Sequence, residues 1–364
     1  MSEPRRYVVL DTYRYIAAAG VVMYHNEANF MPFLDGHVER LGRMTHLVDF
    51  FFVLSGFVLM HTYGNSVSGV SSLASFMQKR IARVYPLHFA TTMVFVVATA
   101  VFAVTGFQLR DPGAVDPALF GPTLLLLHAW GTTTHPGLNF PSWSISSEFF
   151  VYLLFPAFAL MMARVRPIGA LVIALAFAIV MDAVRTSLGM RTWTLATFDY
   201  GMLRAVPTFL AGMAVCQIVR ALPARPIPWI VPHLLMTFIF ALMMFEVRAD
   251  FIIALFPLAV GLIAAAERGG LRSRLSNPFC AMLGDASYGI YLLHMFVQIA
   301  AVQVVRKFGL TSPTELVLMS IVVLIVVTLM AIASFRWFEN PARRLLSRPL
   351  SPRPPVVAKP EAGR

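Results

Sequence analysis

Apolar runs recur along the chain near residues 7–25, 47–62, 86–106, 118–130, 149–163, 167–184, 203–219, 229–246, 251–266, 279–304 and 315–337. Most approach the roughly 20 residues that an α-helix needs to cross the hydrocarbon core of a bilayer. The pattern therefore predicts an all-α polytopic membrane protein. The stretch Phe120 to Trp130 is about half that length, which suits a re-entrant or interfacial piece better than a crossing. About ten transmembrane helices plus this one short segment is the expected architecture. A single transmembrane domain would occupy residues 1–340. A basic, Pro-rich tail over 341–364 is expected to be disordered and to face the lipid headgroups.

Charge fixes the threading. With ten crossings, 19 of the 29 Lys and Arg residues fall on one side, 9 on the other, and Arg14 lies within the membrane. The richer side is the cytoplasmic one by the positive-inside rule, so both termini are expected there. Letting Phe120 to Trp130 cross would put Arg164 and Arg166 outside and spoil the bias.

Composition agrees. Hydrophobic residues make up 58% of the chain and charged residues 13%, about half the charged share of a soluble domain. In so apolar a chain the net charge of +11 reads as cytoplasmic loops and contact with anionic lipid, not as a nucleic-acid surface. Cys216 and Cys280 sit in separate apolar stretches as small core residues, and the nine histidines show no metal-binding spacing, so no metal is expected. The first apolar run could pass for a signal peptide, but Asp11 and Arg14 interrupt it, which favours an uncleaved first span.

Polar residues crowd into the first 150 positions. Asp11, Arg14 and His25 share one face of the first predicted helix, because steps of three and eleven residues are close to whole turns. Arg14 and His25 then lie ~16 Å apart along the axis. An ionisable side chain at that depth faces protein or a wet cavity, which makes this face the wall of a candidate reaction site. Asp49 opens the second span near the expected level of His25, where it could orient the imidazole or simply begin the helix. Ser55 and Gly56 follow in an aromatic run and also suit close helix packing. Lys79, Arg80 and Arg83 fall within about one helical turn and repel one another unless an anion intervenes; otherwise they are a positive-inside anchor. Trp143, Ser144, Ser146, Ser147 and Glu148 open a further span. The serines suit helix capping, and Glu148 is placed to pair with His25 or to take a proton from an alcohol. Gly284, Ser287, Tyr291 and His294 form a polar stripe on a late helix.

Taken in order, these stretches resemble the acyltransferase-3 family of integral membrane acyltransferases, the group of bacterial polysaccharide and lipopolysaccharide O-acetylases. Arg14 and His25 match its Arg, ten residues, His pattern. Asp49 to Phe57 matches its second-span signature, Arg80-x-x-Arg83 its Arg-x-x-Arg, and Trp143-Ser-Ile-Ser146-x-Glu148 its Trp-Ser-x-Ser-x-Glu. Tyr288 to His294 matches its late His helix. Thr12-Tyr13 departs from the commoner Gly-Leu, and Phe149 stands where many members have a second glutamate. The resemblance implies that Lys79, Arg80 and Arg83 hold the phosphates of cytoplasmic acyl-CoA, with acetyl-CoA as the expected co-substrate, and that the pantetheine arm passes Arg14. His25 would act as general base toward a hydroxyl on an extracytoplasmic glycan, lipid-linked saccharide or glycoconjugate, with Glu148 assisting. An acyl-histidine intermediate is the variant. Asp11, Asp49, Ser55, Trp143, Ser146, Tyr291 and His294 would support them, in a bacterial inner membrane.

Two other readings stay open on the residues alone. The Asp11–Arg14–His25 face could be the proton path of a transporter for an acid or an acylated lipid, although paired halves with broken helices are not evident. The chain could also be a membrane scaffold whose charges are incidental.

Overall fold

The computed structural model describes residues 6–34, 40–64, 70–105, 116–136, 138–245 and 247–348. All regular structure among them is helical. The helices are α1 (Val8–Phe30), α2 (Leu47–Tyr63), α3 (Val70–Thr105), α4 (Phe120–Leu124), α5 (Trp143–Met162), α6 (Pro167–Ser187), α7 (Gly201–Ala221), α8 (Ile230–Met243), α9 (Ala249–Arg268), α10 (Pro278–Phe308), α11 (Pro313–Ser334) and α12 (Asn340–Leu346). Eight helical stretches among the described residues are long and apolar enough to cross a membrane. The 23-residue α1, interrupted by Asp11, Arg14 and Glu27, and the 14-residue α8 fill the two remaining places where the apolar pattern puts a crossing. The chain is an integral membrane protein.

Helix ends follow the local sequence. Ser312 and Glu315 close a reciprocal capping box on α11, with Pro313 at the first helical position. Asn277 caps α10 ahead of Pro278, and Gly309 ends that helix at φ +62°, a conformation only glycine adopts at no cost. The buried Glu267, at the end of α9, accepts from the free backbone N–H groups of Val8 and Val9 at 2.9 and 3.3 Å, which fixes the depth of α1.

Two differences from the sequence pattern matter. Helix α3 starts at Val70 and runs through Pro86, so Lys79, Arg80 and Arg83 lie inside a 36-residue helix that begins well before the apolar run at 86–106. The tail expected to be disordered from Pro341 begins as helix, since α12 takes the chain to Leu346; residues 349–364 lie outside the described set.

The short segment is where the apolar pattern put it. Only the five residues of α4 are helical, and turns come after it, with Leu126 at φ +58°. That irregular backbone is tied to protein. Ser146 donates to the Leu126 carbonyl at 2.6 Å and accepts from the Ala129 N–H at 3.1 Å, while Trp130 Nε1 donates to the Ser146 carbonyl. Non-helical chain at membrane depth is tolerated only with such partners.

Helix α2 runs through the centre and packs most closely on α7. A Cβ on Gly56 would overlap the Phe209 carbonyl, and one on Gly212 would overlap that of Val53, so the two backbones touch at both glycines. Ser55 and Gly56 are thus adjacent but differ in role. Gly56 makes the helix contact, whereas Ser55 faces a cavity.

Candidate active site

Helices α1 and α10 bring the two polar stripes face to face. Gly284 lets them approach, since a Cβ there would come within 2.7 Å of Asp11. Arg14 donates to the Gly284 carbonyl at 2.5 Å and to Ser287 Oγ at 2.8 Å, and pairs with Asp11 at 3.3 Å. Asp11 also pairs with Arg6 at 2.7 Å, and Arg6 reaches Asp285 at 2.8 Å. The guanidinium inside the first span is therefore held through Nε and Nη2.

Three turns along, His25 meets His294. The rings stack with centroids 5.0 Å apart, and His25 Nδ1 lies 2.9 Å from His294 Nε2. His294 Nδ1 faces the Ile290 carbonyl at 3.3 Å. A carbonyl can only accept, so neutral His294 carries its proton on Nδ1, and its Nε2 accepts from His25 Nδ1–H. His25 Nε2 is then left with its lone pair and has no hydrogen-bond partner among the described residues. Next to the pair, Gln298 bridges Asn26 at 2.8 Å and Asn29 at 3.3 Å and donates to the Val22 carbonyl, which holds the C-terminal half of α1 against α10.

Below Tyr291 opens a cavity of ≈ 550 Å³, within the range of small-molecule sites. Its walls carry Arg14, Ser55, Arg80, Arg83, Glu148 and Tyr291. Arg80 lies over the rings of Tyr63 and Tyr152 at 5.3 and 6.0 Å and donates to Tyr63 Oη at 3.3 Å, yet its buried Nε has no partner. Lys79 is exposed, over Tyr63. Arg83 is in no ion pair among the described residues. The expected gathering of cations beside a void is present.

The continuous shaft from these cations to His25 is not. Lining residues on α1 stop at Arg14, and on α10 they stop at Tyr291, one turn short of His294. The Tyr291 and Ser144 hydroxyls are hydrogen-bonded at 2.8 Å, Phe51 packs edge-on against the Tyr291 ring at 5.9 Å, and the same ring lies 6.0 Å from that of His294. Phe51, Ser144 and Tyr291 close the inner end of the cavity just before the imidazole pair.

Three expectations are corrected. Asp49 does not orient His25: it is fully buried and pairs with Arg204 at 2.6 and 3.0 Å, with His46 3.7 Å away. Its place beside His25 is taken by His294. Glu148 likewise faces the cavity and Tyr152 instead of His25. The serines of α5 do not cap it. Ser144 and Ser147 bond to carbonyls one turn back, and Ser146 holds the short segment. Trp143 stacks on the Arg204 guanidinium at 5.2 Å and so supports the buried ion pair.

Sequence reasoning missed Arg204, which it counts with the loop charges. It lies in α7 at 1% exposure, and Arg185 is buried at 4% with Asp199. A signal existed for Arg204, since a lone arginine inside an apolar run is the same anomaly that marks Arg14. Removing both from the outer count sharpens the charge bias.

Comparison with known proteins gives the family. A family profile described as "Acyltransferase domain" matches residues 7–333. The chain belongs to the acyltransferase-3 family. Among curated relatives, it is 28% identical over 354 residues to "Acyltransferase MdmB" of Streptomyces mycarofaciens, covering 89% of this chain and 86% of that one. It is 34% identical over 163 residues to "Protein 2 in picA locus" of Rhizobium radiobacter, covering 41% and 81%. With "Nodulation protein 10" of Rhizobium leguminosarum bv. viciae it shares 29% identity over 288 residues, covering 69% and 71%. No solved structure matches.

Proposed function

We propose that this membrane acyltransferase moves an acyl group, acetyl in the first instance, from cytoplasmic acyl-CoA to a hydroxyl of an extracytoplasmic glycan, lipid-linked saccharide or glycoconjugate. The threading has ten crossings with both termini cytoplasmic, in a bacterial inner membrane. The donor phosphates rest on Arg80 and Arg83, with Lys79 at the rim, and the pantetheine arm rises along the wall that holds Arg14 and Ser55. The observation that carries the reading is the His25 Nε2 lone pair, held in place by His294 directly beyond the inner end of a cation-lined cavity.

In the reaction, His25 Nε2 takes the proton of the acceptor hydroxyl as its oxygen attacks the thioester carbon. The C–S bond then breaks, and the departing thiolate recovers that proton from the imidazolium. His294 stabilises the transient charge by accepting the Nδ1–H hydrogen bond more strongly. Arg14, held by Gly284, Ser287 and Asp11, acts as fixed positive potential along the path. Holding both reactants in line supplies much of the acceleration. Tyr291 turns aside when the thioester arrives, which joins cavity and imidazole only with donor bound.

The test is incubation of membranes holding the protein with labelled acetyl-CoA and an extracted surface glycan. Label transferred to glycan, and lost when Arg80 and Arg83 are both replaced by Ala, supports the reading. Uptake of an acid into proteoliposomes without any coenzyme A, and no transfer, would contradict it.

A further inference from the structure

The cation cluster has a member that the motifs do not include. After α11 the chain runs through a π-helical turn, Phe335–Glu339, directly into α12. Such turns are frequent at functional sites, because the extra residue re-aims the next stretch of helix. In this chain the turn lays α12 against α3. Gln78, the residue before Lys79, donates through Nε2 to the carbonyls of Leu346 and Arg348 at 2.8 and 2.7 Å, so the end of α12 is tied beside the arginine cluster. Arg343 on α12 and Ser347, one turn further on, thereby become part of the cavity wall.

The charges around that wall are uneven. On one side Arg6 and Arg14 are neutralised by Asp11 and Asp285. On the other, Arg80, Arg83 and Arg343 are in no ion pair among the described residues. The polar contact of Arg343 is a long one, 3.4 Å to Asn340 Oδ1. A small adjoining recess is shared by Arg83, Arg343, Asp285 and Glu339. Glu339 is buried and accepts from Ser334 at 2.9 Å, and Asp285 is held by Arg6, so the three guanidinium groups in no ion pair face a void that also has Glu148 on its wall. Guanidinium groups so gathered repel unless a multiply charged, oxygen-rich anion sits among them.

We propose that Arg343, assisted by the Ser347 hydroxyl, is a phosphate ligand of this cavity, and that α12 is a working part of the donor site. The ligand class is a phosphorylated nucleotide, the charged end of a coenzyme A thioester. Arg343 lies beyond residue 333, where the family match ends. The inference rests on the acyl-CoA reading of the cavity, and an anionic lipid headgroup offers the same phosphate chemistry.

The experiment measures acetyl-CoA affinity by calorimetry on full-length protein in phosphatidylcholine nanodiscs. Arg343→Ala should weaken binding about tenfold, the value of one charge-assisted hydrogen bond. Arg343→Lys should recover part of it, and Arg343→Gln, which keeps a partner for Asn340, should show the full loss. Arg344→Ala removes the same charge from an exposed neighbour and should change nothing. S-acetylpantetheine, which lacks phosphates, should bind parent and variants alike. If the parent protein binds no acetyl-CoA, the donor reading itself fails. If Arg80→Ala weakens binding while Arg343→Ala does not, or if Arg343→Ala and Arg344→Ala lose equally, the role of α12 is overturned and the donor reading stands. Displacement of acetyl-CoA from the parent by phosphatidylglycerol in the disc would assign the cradle to lipid and overturn the proposal as well.

Discussion

His25 and His294 illustrate how one backbone carbonyl can set the chemistry of a side chain two contacts away. Ile290 accepts from His294, His294 accepts from His25, and the nitrogen of His25 left free is the one we propose as base. This makes His294 a positioning residue, with a distinct signature. His294→Leu should lower kcat some 10–100-fold, the usual cost of losing a partner that orients a working imidazole. His294→Gln, whose amide oxygen can still accept from His25 Nδ1, should recover a substantial part, and KM for donor should hardly move in either. Steady-state kinetics on the two variants checks this. Equal losses in both would show that His294 fills space and does not orient.

That His25 and His294 are candidates was legible in the sequence, because each stands on a polar stripe in an otherwise apolar helix. That they partner each other was not. Helical periodicity tells which residues share a face, but not which face lies opposite, and three acidic or basic candidates stood at a similar depth. Asp49 went elsewhere because Arg204, from a helix over 150 positions later, needed a carboxylate to be buried at all.

At the scale of elements, the α2–α7 contact carries two separable features. The first is steric: Gly56 and Gly212 admit no side chain. Gly212→Ala should destabilise the fold by about 1–3 kcal/mol, the common cost of overpacking, seen as a lowered thermal midpoint in detergent. The second is electrostatic. Asp49→Ala leaves the Arg204 guanidinium buried and unpaired, a loss on the order of 3–5 kcal/mol. Replacing both, as in Asp49→Ala with Arg204→Met, should recover much of that stability, and a double-mutant cycle on thermal midpoints reads the difference. A catalytic role for Asp49 would instead leave activity absent after stability returns.

Elements were the most readable level in the sequence. The helical pattern, the sub-length piece at Phe120 to Trp130 and the polar face of α10 all derive from run length and spacing. The reach of α3 back to Val70 and the helix after Glu339 did not show, because both are amphipathic surface stretches whose stability comes from packing on each other, and mean hydropathy misses such pieces.

The whole molecule is two-sided. Arg80, Arg83, α12 and Arg6 gather at one end of the helices, while the imidazole pair lies about three turns along α1 from Arg14. A single-cysteine variant, Ser347→Cys in a background of Cys216→Ala and Cys280→Ser, should be modified by a membrane-impermeant maleimide from the cytoplasmic face only, and acetyl-CoA should slow that modification severalfold by filling the cavity. Asp116→Cys, between α3 and α4, should react from the opposite face. Labelling of both from one face would refute the threading. The apolar runs anticipated the set of long helices, but the closed inner end did not show in them, since Phe51, Ser144 and Tyr291 come from three helices distant in sequence.

If His25 performs the chemistry on a donor held elsewhere, its loss should separate binding from turnover. Purified protein in nanodiscs shows this through binding and turnover of labelled acetyl-CoA, measured side by side for the parent and His25→Ala. Donor affinity should stay within about twofold of the parent, and turnover to acceptor should fall by at least ~10²-fold, the lower end for loss of a general base. Turnover equal to the parent, with donor bound as before, would contradict the role of His25.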